Sequence, residues 1–264
     1  MKQIPILMYH WFREEDAEST SLSPQLEITP RLFERQMQYL QAKGYRTVSL
    51  DQALAPQERR RLPDRPIVIT FDDGTLDFWE HARPALERHD FTATLFVVTG
   101  KVGGESDWDR ALGEPARPLM SWEQIEELHE AGFEIGSHTE THRPLIELPD
   151  EEARGELVRS RETLFEKLGV APNLLAYPRG FYSARHKRLA RESGYWAACS
   201  VILGWRDLKR SDDYELKRMT VKGNESMLKF KVRLALARRV LYEGRGFDPR
   251  PDEPDRSEAE GTTA

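Results

Sequence analysis

Short apolar runs alternate along this chain with polar segments that carry helix start and stop signals. Runs that predict β-strands occupy residues 4–9, 45–50, 133–136 and 174–177, and another directly precedes Thr70. Strands that alternate with helices favour a parallel sheet with helices packed outside it. We therefore predict an α/β fold.

The predicted helices are bounded by caps. Thr29 and Pro30 begin a helix that ends at Gly44. A capping box begins another at Ser121, which ends at Gly132. Further helices are predicted over residues 150–169 and 183–194, each between a cap and a terminal glycine.

Three polar stretches each follow a predicted strand. They are residues 70–74 (Thr-Phe-Asp-Asp-Gly), 137–142 (Ser-His-Thr-Glu-Thr-His) and 176–180 (Ala-Tyr-Pro-Arg-Gly). In parallel α/β folds the ends of the strands lie at one edge, where such enzymes place their catalytic groups. We expect the three stretches to meet there.

The residue types in these stretches indicate a metal-dependent hydrolase. His138 and His142, with one carboxylate from residues 72–73, make the three-ligand set that leaves a zinc position open for water. Zinc lowers the pKa of such a water from about 16 to about 7, and the second carboxylate can then act as general base. Asp-Asp-Gly alone is typical of a turn, so the prediction depends on the combination and its order.

The three stretches resemble the signature motifs of the polysaccharide deacetylase family (NodB-homology domain, carbohydrate esterase family 4-like). Those motifs are Thr-Phe-Asp-Asp-Gly, His-Ser/Thr-x-x-His and a Pro-aromatic-Gly turn. Residues 93–98 and 120–124 are also similar to the family, and the resemblance covers roughly residues 3–222. It implies a distorted, incomplete (β/α) barrel of about seven parallel strands, and hydrolysis of an N-acetyl or O-acetyl group.

The resemblance also implies roles for individual residues. Asp72 would be the catalytic base. The metal ligands would be Asp73, His138 and His142, and the metal Zn²⁺ or another divalent ion such as Co²⁺, Ni²⁺ or Mn²⁺. The substrate-binding turn would include Tyr177, Pro178 and Gly180.

The chain departs from the family pattern at the group that orients the base. Many members have an arginine two residues before the proline of the third motif, where this chain has Ala176. Arg179 stands at the usual aromatic position and is a candidate catalytic residue. Arg206 and Arg218 are the other candidates for orienting the base, and the sequence does not choose among the three.

The general acid is the second departure. Many members use a late histidine to protonate the leaving amine, but no histidine follows His186 here. His10 ends the first strand and would reach the same rim as Asp72, so it is a candidate catalytic residue. Alternatively, Asp72 returns the proton that it accepted.

Two regions lie outside the barrel prediction. The loop at residues 101–118 is long enough to be functional, and its Trp108 would either hold a sugar ring or anchor local packing.

We assign residues 1–225 to the catalytic domain, 226–247 to a basic C-terminal helix and 248–264 to an acidic disordered tail. The segment 226–245 carries six basic residues and one acidic residue. It would either dock on the barrel or contact an anionic membrane or a partner protein.

Composition limits the setting. The net charge of −6 shows no basic footprint for nucleic acid. The single cysteine, Cys199, excludes an intramolecular disulfide. Because no apolar segment is long enough for a signal peptide or a membrane span, we expect a cytoplasmic location, with a possible peripheral position at the inner membrane surface.

The leading hypothesis is a metal-dependent deacetylase that acts on an N-acetylated sugar, glycan or lipid-linked saccharide of a surface polysaccharide or exopolysaccharide. Hydrolysis of a non-sugar amide is the alternative within enzymes. A non-catalytic carbohydrate-binding or scaffold role is the alternative outside them. The sequence does not identify the sugar.

Overall fold

The structure of this protein is a computed structural model, and it describes residues 4–55, 61–201 and 212–236. Within them the strands are β1 Ile6–Tyr9, β2 Trp11–Phe12, β3 Glu27–Ile28, β4 Arg46–Thr47, β5 Pro66–Phe71, β6 Thr94–Val97, β7 Glu134–Ser137, β8 Leu174–Ala176, β9 Ala197–Cys199 and β10 Met219–Thr220. The α-helices are α1 Pro30–Ala42, α2 Leu50–Leu54, α3 Arg83–Arg88, α4 Trp122–Glu130, α5 Asp150–Leu168, α6 Ala184–Glu192 and α7 Met227–Leu236. A π-helical turn, Phe78–Ala82, leads into α3.

The main sheet forms an incomplete barrel. Among the described residues, seven strands follow one another in the order β10-β1-β5-β6-β7-β8-β9, and every pairing between them is parallel. Strand β4 pairs with the start of β5. Strands β2 and β3 make a separate parallel pair. The predicted α/β architecture and the distorted, seven-stranded barrel are therefore confirmed.

The two faces of β5 are in different environments because side chains alternate along a strand. Ile67, Ile69 and Phe71 belong to the large apolar cluster that includes residues of the outer helices. Val68 belongs to a second cluster, with apolar residues of the neighbouring barrel strands, that fills the interior. Since Asp72 is four residues after Val68, the same alternation points it into the barrel.

A short segment spans the gap between β9 and β10, the two ends of this strand order. Leu216 makes a single parallel bridge with Cys199 of β9, and three residues later Met219 pairs with Leu7 of β1. Arg218 lies between these two pairings and is fully buried. The segment thus carries a charged side chain into the interior of the barrel.

The helix caps predicted for α1 and α4 are present, whereas the cap predicted for α5 was wrong, because its N-cap is Pro149 and no side chain caps it. The Thr29 side chain accepts a hydrogen bond from the Leu32 amide at the start of α1, and Ser121 forms the capping box of α4. The prediction for residues 45–50 was partly wrong, because the strand is only Arg46–Thr47 and Ser49 caps α2 immediately afterwards.

Helix α7 docks on the barrel through one side. Phe230 and Leu234 are buried in the large apolar cluster, whereas Leu228 is 72% exposed. The rest of the predicted basic helix, the predicted tail and Arg206 lie outside the described residues. In the part of the chain that the structure describes, no helix is both long and apolar enough to cross a membrane.

Candidate active site

Asp73 of the first motif lies close to His138 and His142 of the second, at the carboxyl ends of β5 and β7. Asp73 Oδ1 lies 3.5 Å from His138 Nε2 and 3.5 Å from His142 Nε2. The three side chains are buried, and their ligand atoms lie within 4.8 Å of one another. The structure thus brings together the three metal ligands that the resemblance implied.

The cluster fits a divalent metal ion. Atoms bound at about 2.0–2.1 Å around a tetrahedral zinc ion are about 3.3 Å apart, close to the two separations measured from Asp73 Oδ1. Two imidazoles and one carboxylate are also the donor set of catalytic zinc sites, which keep one position open. The residues present therefore suit zinc or a similar ion.

Other groups orient two of these ligands. The Ala176 carbonyl lies 2.8 Å from His138 Nδ1, so a proton on Nδ1 leaves Nε2 free to bind metal. The Trp11 indole donates a 2.8 Å hydrogen bond to Asp73 Oδ2, which leaves Oδ1 as the free carboxylate oxygen. His142 Nδ1 is buried and has no hydrogen-bond partner among the described residues.

Backbone strain is concentrated in the three motifs. Among the described non-glycine residues, five have positive φ, and four of these belong to the motifs: Asp73 (74°), Thr139 (69°), His142 (64°) and Arg179 (57°). Such conformations cost on the order of 1–3 kcal/mol and persist where the surroundings hold them. The Glu156 carboxylate of α5 does so for the second motif, because it accepts hydrogen bonds from the amide and hydroxyl of Thr141.

Asp72 is held by Arg218. The guanidinium donates two hydrogen bonds to the Asp72 carboxylate, at 2.6 and 2.7 Å, and both side chains are buried. It also donates to the Ser200 carbonyl and the Thr70 hydroxyl. Of the two candidate arginines that the structure describes, Arg179 and Arg218, it therefore places Arg218 on Asp72; Arg206 lies outside the described residues.

The adjacent aspartates have opposite pKa shifts. Burial alone would raise the pKa of Asp72, but Arg218, with smaller contributions from His138 and His10, holds it well below its usual range. Burial and the Asp72 carboxylate raise the pKa of Asp73 to about 7. Asp73 lacks a lysine or arginine within ion-pair distance among the described residues, and a bound cation would supply that charge.

His10 lies beside Asp72, as its position at the end of β1 predicted. Its Nε2 is 3.8 Å from Asp72 Oδ2. Burial lowers the pKa of His10 to about 4, although the Asp72 carboxylate acts in the opposite direction. The imidazole is therefore neutral at neutral pH.

Trp108 and Arg179 lie at the mouth of the site rather than beside Asp72. The Trp108 ring lies 4.4 Å from the ring of His142. Arg179 pairs with Asp109, so the structure does not support it as the group that orients the base. Both residues, with His142, line an open cavity of about 630 Å³. Trp108 is thus both a packing anchor and a wall of the cavity.

The substrate-binding prediction for the third motif needs correction at Tyr177. Its side chain is fully buried, stacks on Tyr182 and donates to the Tyr214 carbonyl, so it cannot contact a substrate. Pro178 and Gly180 are buried as well. A Cβ at Gly180 would lie 2.3 Å from Val201, so this glycine permits close packing of two loops. What the structure shows for this segment is the Ala176 carbonyl, just before the turn, at hydrogen-bond distance from His138 Nδ1.

Comparison with known proteins identifies the family. The polysaccharide deacetylase family model matches residues 59–198, which is more than half of the chain. The chain belongs to the polysaccharide deacetylase family. The match contains all three motifs and lies within the catalytic domain predicted at residues 1–225, whose boundaries stay a prediction.

Individual relatives support this assignment. The chain is 27% identical over 194 residues to the Bacillus subtilis (strain 168) protein YxkH, which bears the name of a polysaccharide deacetylase; the alignment covers 73% of this chain and 62% of YxkH. It is 23% identical over 205 residues to a poly-β-1,6-N-acetyl-D-glucosamine N-deacetylase of Staphylococcus epidermidis, over 71% of this chain and 68% of that protein.

A solved structure shows the same fold. The Streptococcus pyogenes deacetylase PplD, in complex with acetate, superposes with a TM-score of 0.73 at 24% sequence identity, over 88% of this chain and 98% of that one.

Three groups that hold the motif residues in place were not predicted from the sequence: the Trp11 indole, the Ala176 carbonyl and the Glu156 carboxylate. Trp11 directly follows His10 at the end of β1, but a single tryptophan there does not indicate a hydrogen bond to Asp73. The Ala176 carbonyl carries no side-chain signal at all. Glu156 lies in a helix with many other acidic residues, where its burial is not visible from the sequence.

Proposed function

We propose that this deacetylase-family chain is a metal-dependent enzyme that hydrolyses the N-acetyl group of an amino sugar within a surface polysaccharide or exopolysaccharide. The observation that carries the proposal is the cluster of three buried metal-ligand side chains directly beside an ionised carboxylate that is not one of them. A relative that is named as a poly-β-1,6-N-acetyl-D-glucosamine N-deacetylase supports the substrate class.

The residues divide the chemistry between them. Asp73, His138 and His142 would hold a divalent ion, which supplies Lewis acidity for activating water and polarising the acetyl carbonyl. Asp72 accepts the proton of the attacking water, because Arg218 keeps it ionised and fixes its orientation. The open cavity beside His142 would receive the sugar.

Proton return to the leaving amine is assigned to Asp72. A neutral His10 has no extra proton to give at the start of the reaction, whereas Asp72 carries one after water attack. His10 Nε2 lies near the same carboxylate oxygen and would steady Asp72 or relay the proton. Replacing His10 by glutamine should therefore slow the reaction without abolishing it.

An acetate-release assay tests the proposal. Oligomers of β-1,6-linked and β-1,4-linked N-acetylglucosamine are incubated with chelator-treated enzyme, with and without added Zn²⁺ or Co²⁺. We expect acetate and free amine in equal amounts, only when metal is present. Hydrolysis of simple non-sugar amides but of neither oligomer would favour the alternative enzyme class, and metal binding without any hydrolysis would favour a binding role.

The cytoplasmic location and the membrane contact through residues 226–245 stay predictions; fractionation of source cells tests both.

A further inference from the structure

Trp11 occupies an unusual place in the site. Its indole N–H donates to the Asp73 oxygen that does not face the histidines, at 2.8 Å. The other oxygen, Oδ1, is the one that lies 3.5 Å from each imidazole Nε2. Because Oδ2 is engaged, Asp73 presents one oxygen to the centre of the cluster instead of two.

The Trp11 ring is held in place by an arginine from the long loop at residues 101–118. The Arg117 guanidinium lies 4.0 Å from the centre of the indole. It is fixed there by two carboxylates, Glu27 at 2.6 Å and Glu114 at 3.1 Å. A cation over the face of an indole is attracted to the ring, and it polarises the ring so that the N–H becomes a stronger donor.

The backbone beneath Trp11 is fixed as well. Trp11 pairs with Glu27 in the two-stranded sheet of β2 and β3. The Asp77 carboxylate accepts hydrogen bonds from the Phe12 amide and the Thr75 hydroxyl, both at 2.6 Å. Asp77 therefore ties β2 to the turn that follows Asp73, so the indole and the carboxylate are held in one rigid unit.

We propose that Trp11 and Arg117 are positioning residues that orient Asp73 so that it binds the metal through a single oxygen. The inference rests on the metal centre proposed above. Neither residue touches the reacting atoms. Trp11 acts on Asp73, and Arg117 acts on Trp11. Through this pair, the loop whose Trp108 covers His142 also fixes the carboxylate ligand on the other side of the cluster.

The test compares metal binding in matched variants. Trp11→Phe keeps an aromatic ring but removes the N–H. We expect it to lose about 10- to 100-fold in Zn²⁺ affinity, the usual effect of removing a group that orients a ligand, measured by competition with a chromophoric chelator. The Co²⁺ absorption spectrum should also change, because Asp73 would be free to bind through both oxygens. Arg117→Lys keeps the positive charge but removes the planar guanidinium that lies over the indole. We expect its Zn²⁺ affinity to fall about two- to fivefold.

The chain contains a matched control. Arg83 also lies 4.0 Å from the centre of an indole, Trp79, and is also held by two carboxylates. Trp79→Phe and Arg83→Lys therefore repeat the two changes away from the metal cluster. Both should bind Zn²⁺ and Co²⁺ like the wild-type protein, and thermal melting of the metal-free proteins shows whether each variant is folded.

The outcomes separate this inference from the proposed function. Wild-type affinity and an unchanged Co²⁺ spectrum in Trp11→Phe would overturn the inference alone. Wild-type protein that binds neither ion would overturn the proposed metal centre, and the inference with it. If Trp11→Phe does not fold, Arg117→Lys decides, because equal affinities in Arg117→Lys and Arg83→Lys would show that the stack does not position the ligand.

Discussion

Asp72 and Asp73 are neighbours in sequence but lie in two chemically different regions of the molecule. Asp72 points into the barrel, where Arg218 binds both of its oxygens. Asp73 turns out of the strand with φ of 74° and faces two imidazoles and an indole. One carboxylate has a full positive charge from the chain beside it, and the other does not.

This difference fits the two roles proposed above for these equal side chains. The arginine keeps Asp72 ionised, as the proposed base requires, and already binds both of its oxygens. Burial of Asp73 next to a second carboxylate raises its pKa to about 7, and a bound cation would reverse that penalty. The chain thus supplies the positive charge beside Asp72 in the interior of the barrel. Beside Asp73, at the rim, a bound cation would supply it.

Of the changes considered, removing a histidine of the metal cluster should have the largest effect on metal binding and activity. We expect His138→Ala to abolish metal binding and deacetylation, because a cluster of two donors no longer encloses the ion. The barrel should stay folded, since the site is an addition to the apolar core. Elemental analysis measures the metal content, and His129→Ala in α4 is the matched histidine control. Full zinc occupancy in His138→Ala would contradict the ligand assignment.

Neutralising each aspartate in turn should separate binding from chemistry. Asp72→Asn should keep the metal and lose about 10²- to 10⁴-fold in kcat, the scale of general-base removal. Asp73→Asn should lose the metal itself. Metal content and kcat measured on both variants decide the matter, and a metal-free Asp72→Asn protein would show that the two roles are reversed.

Removing the interior counter-charge should weaken the fold as well as the base. Arg218→Met leaves Asp72 buried without a partner, which costs about 3–5 kcal/mol in the free energy of unfolding. Without the guanidinium the pKa of Asp72 rises, so the acidic limb of the pH profile of kcat/KM should move to higher pH. Denaturant unfolding and the pH profile measure the two effects. Adding Asp72→Asn to Arg218→Met should restore part of the stability, because no unpaired charge then remains.

Changing Arg179 should have the smallest effect. Its pair with Asp109 lies near the surface, where such pairs contribute about 0.2–1 kcal/mol. Arg179→Met should therefore change kcat by no more than about fivefold and leave the acidic limb of the pH profile in place. A shift of that limb like the one expected for Arg218→Met would show that Arg179 also holds Asp72.

The sequence was most informative where structure depends on neighbouring residues. The caps of α1 and α4 were predicted correctly because a cap is a contact across three or four positions. The first two motifs follow directly on their strands, so their meeting at one edge follows from parallel pairing. The predicted strand at residues 45–50 was too long because the Ser49 capping box, also a local feature, was overlooked.

The groups around the motifs were decided only by the tertiary structure. Arg218 is 146 positions from Asp72, and its place depends on how the segment after β9 spans the gap to β10. Trp11 is 62 positions from Asp73 and reaches it because β1 and β5 are paired in a particular register. Tyr177 lies in a family motif, yet the register of β8 turns it into the core. Motif residues and caps could be predicted because their patterns are local. Their partners could not, because those contacts depend on strand register and on the path of the segment between β9 and β10, which the whole chain decides together.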